Sequence, residues 1–452
     1  MAQNRRQRAV IDAITHPVRL LPLIFLVGIG IGAVLLMLPM SYHDDVESVV
    51  APAFFTSVSA VTVTGLASVD TATHWTPFGQ GIIVALVQIG GFGIMTLATM
   101  LGLVVGGRLG LRTRLIAQAE THVLNLGEVS GMLRRVAVMM LSFEVVIAAI
   151  LTVRYRMEYY DSLATSLWHG VFHAVMAFNN AGFALEPDSL VGYVGDAWLI
   201  VPICVGVFAG ALGFPVMAEL FREWRTPDRW SIHTRLTVWG SIGLLVLGVL
   251  AFLVAEWHNS GTIAGLHGSD KLVAGLAGGV MPRSGGFNSI DYGAVTPETM
   301  VITDILMFIG GGSASTAGGI KVTTFLLLAY VILSEVRGDP DVEIGSRRIG
   351  SRTLRQAVTI ALLSVMLVVT TTLIILMLTD FSFEDVLFEV ISAFATVGLS
   401  TGLTPKFPVD AQVVLMVLMF IGRVGTVTVA SALALRGNPR RFHLPEEKPI
   451  VG

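Results

Sequence analysis

The fold is decided by the stretch Ser59-Ala60-Val61-Thr62-Val63-Thr64-Gly65-Leu66-Ala67, which carries no charge and is too short to cross a bilayer. Three weaker copies follow: NNAGF at 179–183, RSGGF at 283–287 and ATVGLS at 395–400. Each copy ends a short apolar run and contains a glycine followed by Phe or Leu. The glycines are spaced by roughly 110 residues, which is longer than the period of the usual solenoid repeats. Four such loops predict four walls around one pore.

The composition places the chain in a membrane. Hydrophobic residues make up 54% of it and charged residues only 13%, whereas soluble domains carry about 25% charged residues. The only cysteine, Cys204, excludes an intrachain disulfide. An apolar run from Leu20 to Met40 follows four arginines and lacks a convincing cleavage site, so we expect a retained first helix with a cytoplasmic N-terminus.

Apolar runs of two lengths alternate along the chain. The long ones predict eight transmembrane helices, at 20–40, 77–105, 132–153, 197–221, 233–255, 299–333, 357–379 and 411–435. The short ones predict re-entrant pore helices, at 50–62, 163–178, 270–281 and 383–395. We therefore predict an all-α polytopic membrane protein in which four span–pore helix–span repeats surround one pore. The predicted units are repeats at 1–106, 107–226, 227–338 and 339–436, and a cytoplasmic tail at 437–452 that could dock on a partner or a second copy.

Lysine and arginine predict the orientation. Of the 29 such residues, 22 fall at the N-terminus, the C-terminus and the loops on the same side of the predicted helices. The positive-inside rule makes that side, with both termini, cytoplasmic. The loops on the other side are acidic, with Asp70, Glu186 and Asp291 among their residues. Ordinary solvation and a negative vestibule that concentrates cations both fit this acidity.

The four loops have the chemistry of an ion selectivity filter. A dehydrated cation needs oxygen dipoles in place of its water, and backbone carbonyls supply them where glycine permits unusual backbone angles. The C-terminal ends of the short helices would add partial negative charge. The fourth loop, with Thr396-Val397-Gly398-Leu399, is close to the TVGYG sequence of K⁺ channel filters. The predicted filter residues are Thr62, Val63, Thr64, Gly65, Asn180, Ala181, Gly182, Ser284, Gly285, Gly286, Thr396, Val397 and Gly398.

The sixth predicted span is interrupted by a glycine-rich segment. Five glycines and three hydroxyl residues within 310–319 do not sustain a helix, so we expect two half-helices joined by a loop. A nucleotide-binding P-loop does not fit, because Ile320 separates the last glycine from Lys321. A small polar loop below a filter is typical of an intramembrane gate. The predicted gate residues are Gly310, Gly311, Gly312, Ser313, Ala314, Ser315, Thr316, Ala317, Gly318, Gly319, Lys321 and Arg423.

Several charges fall inside apolar segments. Arg423, in the last span, is expected to bond carbonyls of the glycine-rich loop, to repel cations below the filter, or to extend toward the cytoplasmic interface. Lys321 could share the first two roles. Arg283 precedes the third filter glycine and would need an acidic neighbour such as Asp291 or Asp304. Glu144 is expected to pair with a basic residue of a neighbouring helix.

No catalytic arrangement stands out. His169 and His173 have the i, i+4 spacing of metal ligands, but a third ligand and an HExxH motif are lacking, so packing histidines are expected. The sequence has neither a Ser-His-Asp arrangement nor a pair of carboxylates suited to acid–base chemistry. We therefore expect that the protein is not an enzyme.

Nearly the whole chain resembles the Trk/Ktr/HKT superfamily of K⁺ transporters. The best matches are Ala60–Leu66, Phe172–Phe183, Arg283–Phe287 and Gly310–Lys321. With eight predicted spans, the chain looks more like the Ktr membrane subunit than the longer Trk subunit. The resemblance implies filter glycines at the four loops and a gate at the glycine-rich segment, with an arginine at position 423. Serine at the first filter glycine accompanies Na⁺ preference in the plant relatives, so Gly65 resembles the K⁺-preferring pattern.

The resemblance also implies partners. It predicts the translocating subunit of a K⁺ uptake system in the cell membrane, with channel-like permeation. It implies a homodimer that sits on a cytosolic nucleotide-binding ring of the RCK type (KtrA/TrkA-like). Because this chain has no such ring, control of the gate would come in trans. The expected substrate is K⁺, with Na⁺ as a further ion, and no organic cofactor is expected in this chain.

Two other classes of transport protein are possible. A Na⁺- or H⁺-coupled secondary transporter with inverted repeats would bind its ions at the membrane midplane. Here the repeats all run in one direction, and alternating access would not require filter glycines. A voltage-gated four-repeat channel would need a span with repeated arginines, and no predicted span has one.

Overall fold

The computed structural model describes residues 17–43, 48–107, 126–345 and 347–425. This part of the chain is mostly helical, as the sequence predicts. Its one sheet is a two-stranded antiparallel hairpin of β1 (Glu343–Ile344) and β2 (Arg347–Arg348). The predicted tail at 437–452 lies outside the described residues, as does the segment 108–125 near the start of the second predicted repeat.

Fifteen α-helices follow one another in the described residues. They are α1 (Pro17–Leu36), α2 (Val50–Val61), α3 (Thr71–His74), α4 (Pro77–Gly107), α5 (Leu126–Glu158), α6 (Leu163–Asn179), α7 (Ala197–Leu212), α8 (Phe214–Glu223), α9 (Ile232–Glu256), α10 (Gly268–Val280), α11 (Pro297–Phe308), α12 (Val322–Arg337), α13 (Ser351–Leu378), α14 (Phe383–Phe394) and α15 (Val409–Phe420). A π-helical turn, Ile421–Gly425, continues α15.

The same packing unit occurs four times. The short helices α2, α6, α10 and α14 each pack most extensively against the helix that precedes them in the chain. The C-terminal half of every short helix is buried, so these helices form the centre of the molecule. The long helix α9 instead exposes large apolar side chains such as Leu247 and Val254. Apolar side chains outside and buried short helices inside are the arrangement expected in a bilayer.

Four of the described helices are long and apolar enough to cross a membrane unaided. They are Pro77–Thr96, Gly131–Glu158, Ile232–Glu256 and Ser351–Leu378. A fifth candidate is the pair α7 and α8, which is bent by 101°. The first predicted span, 20–40, is shifted toward the N-terminus, because α1 begins at Pro17 and ends at Leu36. The last predicted span, 411–435, extends past the described residues.

The fourth predicted span, 197–221, is broken, and the prediction of a continuous helix there was wrong. Helix α7 ends at Leu212, and Gly213 has a φ of 88°, which glycine adopts most easily. A Cβ at Gly213 would lie 2.7 Å from the carbonyl oxygen of Ser313 and 3.0 Å from that of Ala314. The glycine-rich loop therefore occupies the corner between α7 and α8. The break depends on a segment 100 residues away along the chain, which local sequence does not reveal.

The sixth predicted span is broken as expected. Helix α11 ends at Phe308 and α12 begins at Val322, and the residues between them form no helix. The two ends of this segment pair with each other, because the amide of Gly310 donates to the carbonyl of Ile320 at 2.8 Å and the amide of Val322 donates to Gly311 at 3.0 Å. The middle of the segment thus projects as a closed loop.

Candidate functional site

The four predicted glycines form a ring. A Cβ built on any one of them would lie less than 3.0 Å from the backbone of a neighbouring loop. The nearest neighbours are Gly182 for Gly65, Gly286 for Gly182, Val397 for Gly286 and Thr64 for Gly398. Successive loops therefore abut, the fourth loop returns to the first, and the repeats are ordered one to four around a common axis. No residue with a side chain fits these positions without moving a neighbouring backbone.

The loops share an uncommon backbone conformation two residues before the glycine. There φ is 56° at Val63, 61° at Asn180, 71° at Ser284 and 46° at Thr396. Positive φ is unfavourable for residues with a Cβ, most of all for β-branched ones such as Val63 and Thr396. Such conformations persist only where the surroundings impose them, and they concentrate at functional sites. The repeated geometry supports a common role for the four loops.

Two serines that the sequence analysis missed hold the first and fourth loops. The amide of Gly65 donates to Ser59 Oγ at 3.0 Å, and the amide of Gly398 donates to Ser392 Oγ at 3.1 Å. The preceding amides, of Thr64 and Val397, donate to the carbonyls of the same serines at 2.8 and 2.9 Å. The loop amides are thereby bonded back to their own helix, and carbonyls are left between the loops. The identical spacing, six residues before each glycine, was the available signal.

The middle of the glycine-rich loop rests on three of the four predicted filter loops. Thr316 Oγ1 donates to Asn180 Oδ1 of the second loop at 2.8 Å. The amide of Gly318 donates to Ser284 Oγ of the third loop at 3.2 Å. Gly318 also lies against the fourth loop, where a Cβ would meet Thr396 Oγ1 at less than 3.0 Å. The predicted gate residues and the predicted filter residues therefore form one contiguous site.

Arg423 binds the glycine-rich loop. It is 2% exposed and lies in the π-helical turn that follows α15. Its Nη1 donates to the carbonyl of Thr316 and, at 3.3 Å, to Thr396 Oγ1. Of the three predicted positions for Arg423, the structure has the one bonded to the loop. Lys321 supports the same stretch, since its Nζ donates to the carbonyl of Ala317 at 2.5 Å.

Arg283 has neutral partners. Its Nη1 donates to the carbonyl of Ser241 in α9 at 3.0 Å, and its Nη2 lies 3.3 Å from Ser241 Oγ and 3.4 Å from the carbonyl of Gly310. The expected acidic partner, Asp291 or Asp304, does not make a hydrogen bond or ion pair with it in the described residues. The positive charge of this buried guanidinium is therefore stabilised by carbonyl and hydroxyl dipoles and not by a carboxylate.

Glu144 is bonded to amides, and the prediction of a basic partner was wrong. The side chain is 4% exposed in α5. It accepts hydrogen bonds from Gln88 Nε2 and Asn179 Nδ2, both at 3.1 Å. Asn179 Nδ2 also lies 2.8 Å from Gln88 Oε1. The three side chains tie α4, α5 and α6 together directly behind the second filter loop.

The two histidines of α6 belong to an aromatic cluster. His173 Nδ1 lies 2.9 Å from the carbonyl of His169, and both rings pack against Tyr155. His173 also contacts Phe287, which follows the third filter glycine. His173 thus packs between the second and third repeats, whereas His169 packs within the second repeat.

Glu389, which the sequence analysis also missed, holds the outer side of the fourth loop. It is fully buried in α14. Its Oε1 accepts from the hydroxyl of Ser400 at 2.6 Å and the amide of Thr401 at 3.0 Å, and its Oε2 accepts from Thr404 Oγ1 at 2.5 Å. Asn288 Nδ2 in turn donates to the carbonyl of Ser400 at 2.8 Å. The outer ends of the third and fourth loops are thereby fixed to each other.

Comparison with known proteins agrees with this architecture. The chain is 38% identical over 418 residues to the Ktr system potassium uptake protein B of Bacillus subtilis (strain 168), covering 92% of this chain and 93% of the relative. It is 36% identical over 440 residues to the protein of the same name from Vibrio alginolyticus, covering 96% and 94%. The crystal structure of the potassium transporter TrkH from Vibrio parahaemolyticus superposes with a TM-score of 0.72 at 18% identity, covering 93% of this chain and 85% of that one.

The similarity to the TrkH structure confirms the fold, and the sequence comparison identifies the family. Residues 6–438 match the sequence profile of the TrkH family, which is described as a cation transport protein. That match covers all four loops of the ring, the glycine-rich loop and Arg423. The chain belongs to the TrkH family of cation transport proteins.

Proposed function

We propose that this protein is the K⁺-translocating subunit of a Ktr-type uptake system. Two relatives that match it over more than nine-tenths of its length are named potassium uptake proteins. The observation that carries the proposal is the ring of four glycines, whose loops place backbone around one axis. Permeation is channel-like and follows the electrochemical gradient.

Selection of the ion takes place at the ring. Carbonyl oxygens of the four loops replace the hydration shell of K⁺. The carbonyl oxygen of Thr64 lies against Gly398 of the fourth loop and that of Val397 lies against Gly286 of the third loop. The amides of Thr64 and Val397 are bonded to the carbonyls of Ser59 and Ser392. The short helices end at the loops, so their C-terminal dipoles add negative potential. Because side chains do not fit at the ring, its oxygens belong to the backbone, and their spacing is fixed by loop packing.

The gate is the loop 310–319 together with Lys321 and Arg423. The loop lies against the second, third and fourth filter loops, and the buried Arg423 and the partly buried Lys321 bind its carbonyls. Movement of the loop away from these contacts opens the pathway. A positive charge at Arg423 also disfavours a cation at the same position while the gate is closed.

In the membrane, the chain forms four repeats with eight spans in total. Four spans are the long, unbroken helices α4, α5, α9 and α13. The other four are α1, the broken pairs α7–α8 and α11–α12, and α15 with its π-helical turn. The distribution of arginine and lysine supports cytoplasmic termini. The relatives and the uptake function favour the cell membrane as its location.

Regulation comes from other chains. The names of the relatives refer to a Ktr system, and a system implies further subunits. We propose that two copies of this chain assemble on a cytosolic nucleotide-binding ring of the RCK type, which moves the gate loop. K⁺ is the substrate, with Na⁺ as a further ion, and this chain needs no organic cofactor.

A Na⁺- or H⁺-coupled transporter is the alternative. The distinguishing experiment is K⁺ flux into proteoliposomes of purified protein, driven by a K⁺ gradient with the Na⁺ and pH gradients set to zero. The proposal predicts sustained flux that follows the K⁺ driving force. Flux that requires a Na⁺ or pH gradient would favour the coupled transporter.

A further inference from the structure

All three polar atoms of Thr316 are bonded to residues outside the glycine-rich loop. Its side-chain oxygen donates to Asn180 Oδ1 at 2.8 Å, with the carbonyl of Phe178 as a second, more distant acceptor at 3.2 Å, and its amide donates to the carbonyl of Gly210 in α7 at 3.3 Å. Its carbonyl accepts from Arg423. The residue is fully buried. Asn180 and Gly210 belong to the second repeat, whereas Arg423 belongs to the fourth.

The second and fourth repeats lie on opposite sides of the axis. Around the glycine ring the first loop abuts the second, the second abuts the third, and the fourth closes on the first. A residue that is bonded to both the second and the fourth repeat spans the axis between them. Thr316 is therefore the point at which the loop crosses the pathway.

The other hydroxyl residues of the loop do not bridge repeats. Ser315 Oγ donates to the carbonyl of Gly312 at 2.6 Å, within the loop itself. Ser313 Oγ lies 3.3 Å from Thr323 Oγ1 at the start of α12. The three neighbouring hydroxyls thus have different roles, although the sequence alone makes them look equivalent.

Asn180 is oriented to receive Thr316. Its backbone has the left-handed conformation, and its Nδ2 donates to the carbonyl of Val207 at 3.3 Å. That bond directs Oδ1 toward the loop. Resting on the proposed function, we infer that Thr316 is the occluding residue of the gate and that Asn180, through its side chain, is the filter residue on which the gate docks. Opening breaks the Thr316–Asn180 hydrogen bond, so the gate and the filter change together.

Isosteric variants test this docking. Thr316→Val removes the hydroxyl and keeps the shape, and Thr316→Ser keeps the hydroxyl. The matched control outside the gate is Thr372→Val, which removes a buried hydroxyl that bonds only within α13, to the carbonyl of Val368 at 2.9 Å. In K⁺ flux through proteoliposomes, we expect Thr316→Val to raise resting flux roughly fivefold. Thr316→Ser should raise it less than Thr316→Val does, and Thr372→Val should retain wild-type flux. Equal increases in Thr316→Val and Thr372→Val, or none in Thr316→Val, would overturn the inference.

A deletion of residues 311–318 separates this inference from the gate itself. If the deletion raises flux and Thr316→Val does not, the gate stands and the docking role of Thr316 is wrong. If the deletion itself leaves flux unchanged, the proposed gate fails as well.

A thiol reports directly on the position of Thr316. The variants Thr316→Cys and Ser313→Cys are made in a Cys204→Ala background, which leaves each protein with one thiol. Ag⁺, a monovalent cation that binds thiolates, is then applied during K⁺ flux. We expect Ag⁺ to block Thr316→Cys and to leave Ser313→Cys and the cysteine-free background conducting. Equal sensitivity of the two thiols, or an insensitive Thr316→Cys, would place the crossing point elsewhere.

Discussion

Arg423→Ala is expected to open the gate. Among the described residues, the guanidinium makes its hydrogen bonds through Nη1, to the carbonyl of Thr316 and to Thr396 Oγ1. A hydrogen bond from a charged donor contributes about 1.5–3 kcal/mol. Loss of the bond to Thr316 destabilises the closed state by that amount, which corresponds to a roughly 10- to 150-fold shift toward the open state. Resting flux rises by the same factor until the gate is always open.

The assay is K⁺ flux through purified protein in proteoliposomes, with and without the regulatory ring. Arg423→Lys serves as the graded variant, because an ammonium keeps the charge on a different geometry and should open the gate partly. Thermal unfolding of both variants controls for the cavity that alanine leaves. Unchanged flux in folded Arg423→Ala would refute the role of this side chain in holding the loop. Higher flux with unchanged control by the cytosolic regulatory ring would mean that Arg423 acts only by electrostatic repulsion of cations.

Three further perturbations test other parts of the site. Gly65→Ser is expected to lower the K⁺ to Na⁺ permeability ratio, because φ is 90° at Gly65 and a Cβ there would meet the backbone of Gly182. The control is Gly93→Ser, because the Cβ position of Gly93 has open space around it, and equal permeability ratios in Gly65→Ser and the wild type would remove Gly65 from the filter. Deletion of residues 311–318 is expected to raise K⁺ flux and to weaken control by the cytosolic regulatory ring. Unchanged flux at a normal surface level of the protein would count against a gate in this loop. Glu389→Gln is expected to lower the unfolding temperature, because it leaves a buried donor unpaired at a cost of about 1–3 kcal/mol. The control Glu384→Gln, at an exposed position of the same helix, should have no effect, and equal stability of the two variants would show that the hydrogen bonds of Glu389 contribute little.

Local sequence was enough to locate the loops. The four loops meet backbone to backbone, which requires glycine at the contact positions. The regular spacing of these glycines along the chain therefore revealed the loops before their contacts were known. The break in the sixth span was equally local, since five glycines cannot sustain a helix. Charge distribution and hydropathy added the membrane setting.

Features that depend on distant partners were not predictable. The bend at Gly213 exists because loop carbonyls of Ser313 and Ala314 occupy the corner. The partners of Arg283 and Glu144 are a serine, a carbonyl and two amides, which carry no charge pattern that sequence could reveal. Each of these contacts joins residues far apart in the chain, so tertiary packing rather than composition determines them.

The most direct test of the central claim is the bi-ionic reversal potential of the reconstituted protein, with K⁺ on one side and Na⁺ on the other. A carbonyl filter for K⁺ predicts a reversal potential displaced toward that of K⁺, by about 59 mV for each tenfold preference over Na⁺. The displacement should shrink in Gly65→Ser and persist in Gly93→Ser. A reversal potential near zero in the wild type, or one that moves with an imposed pH gradient, would contradict K⁺ selection by the glycine ring.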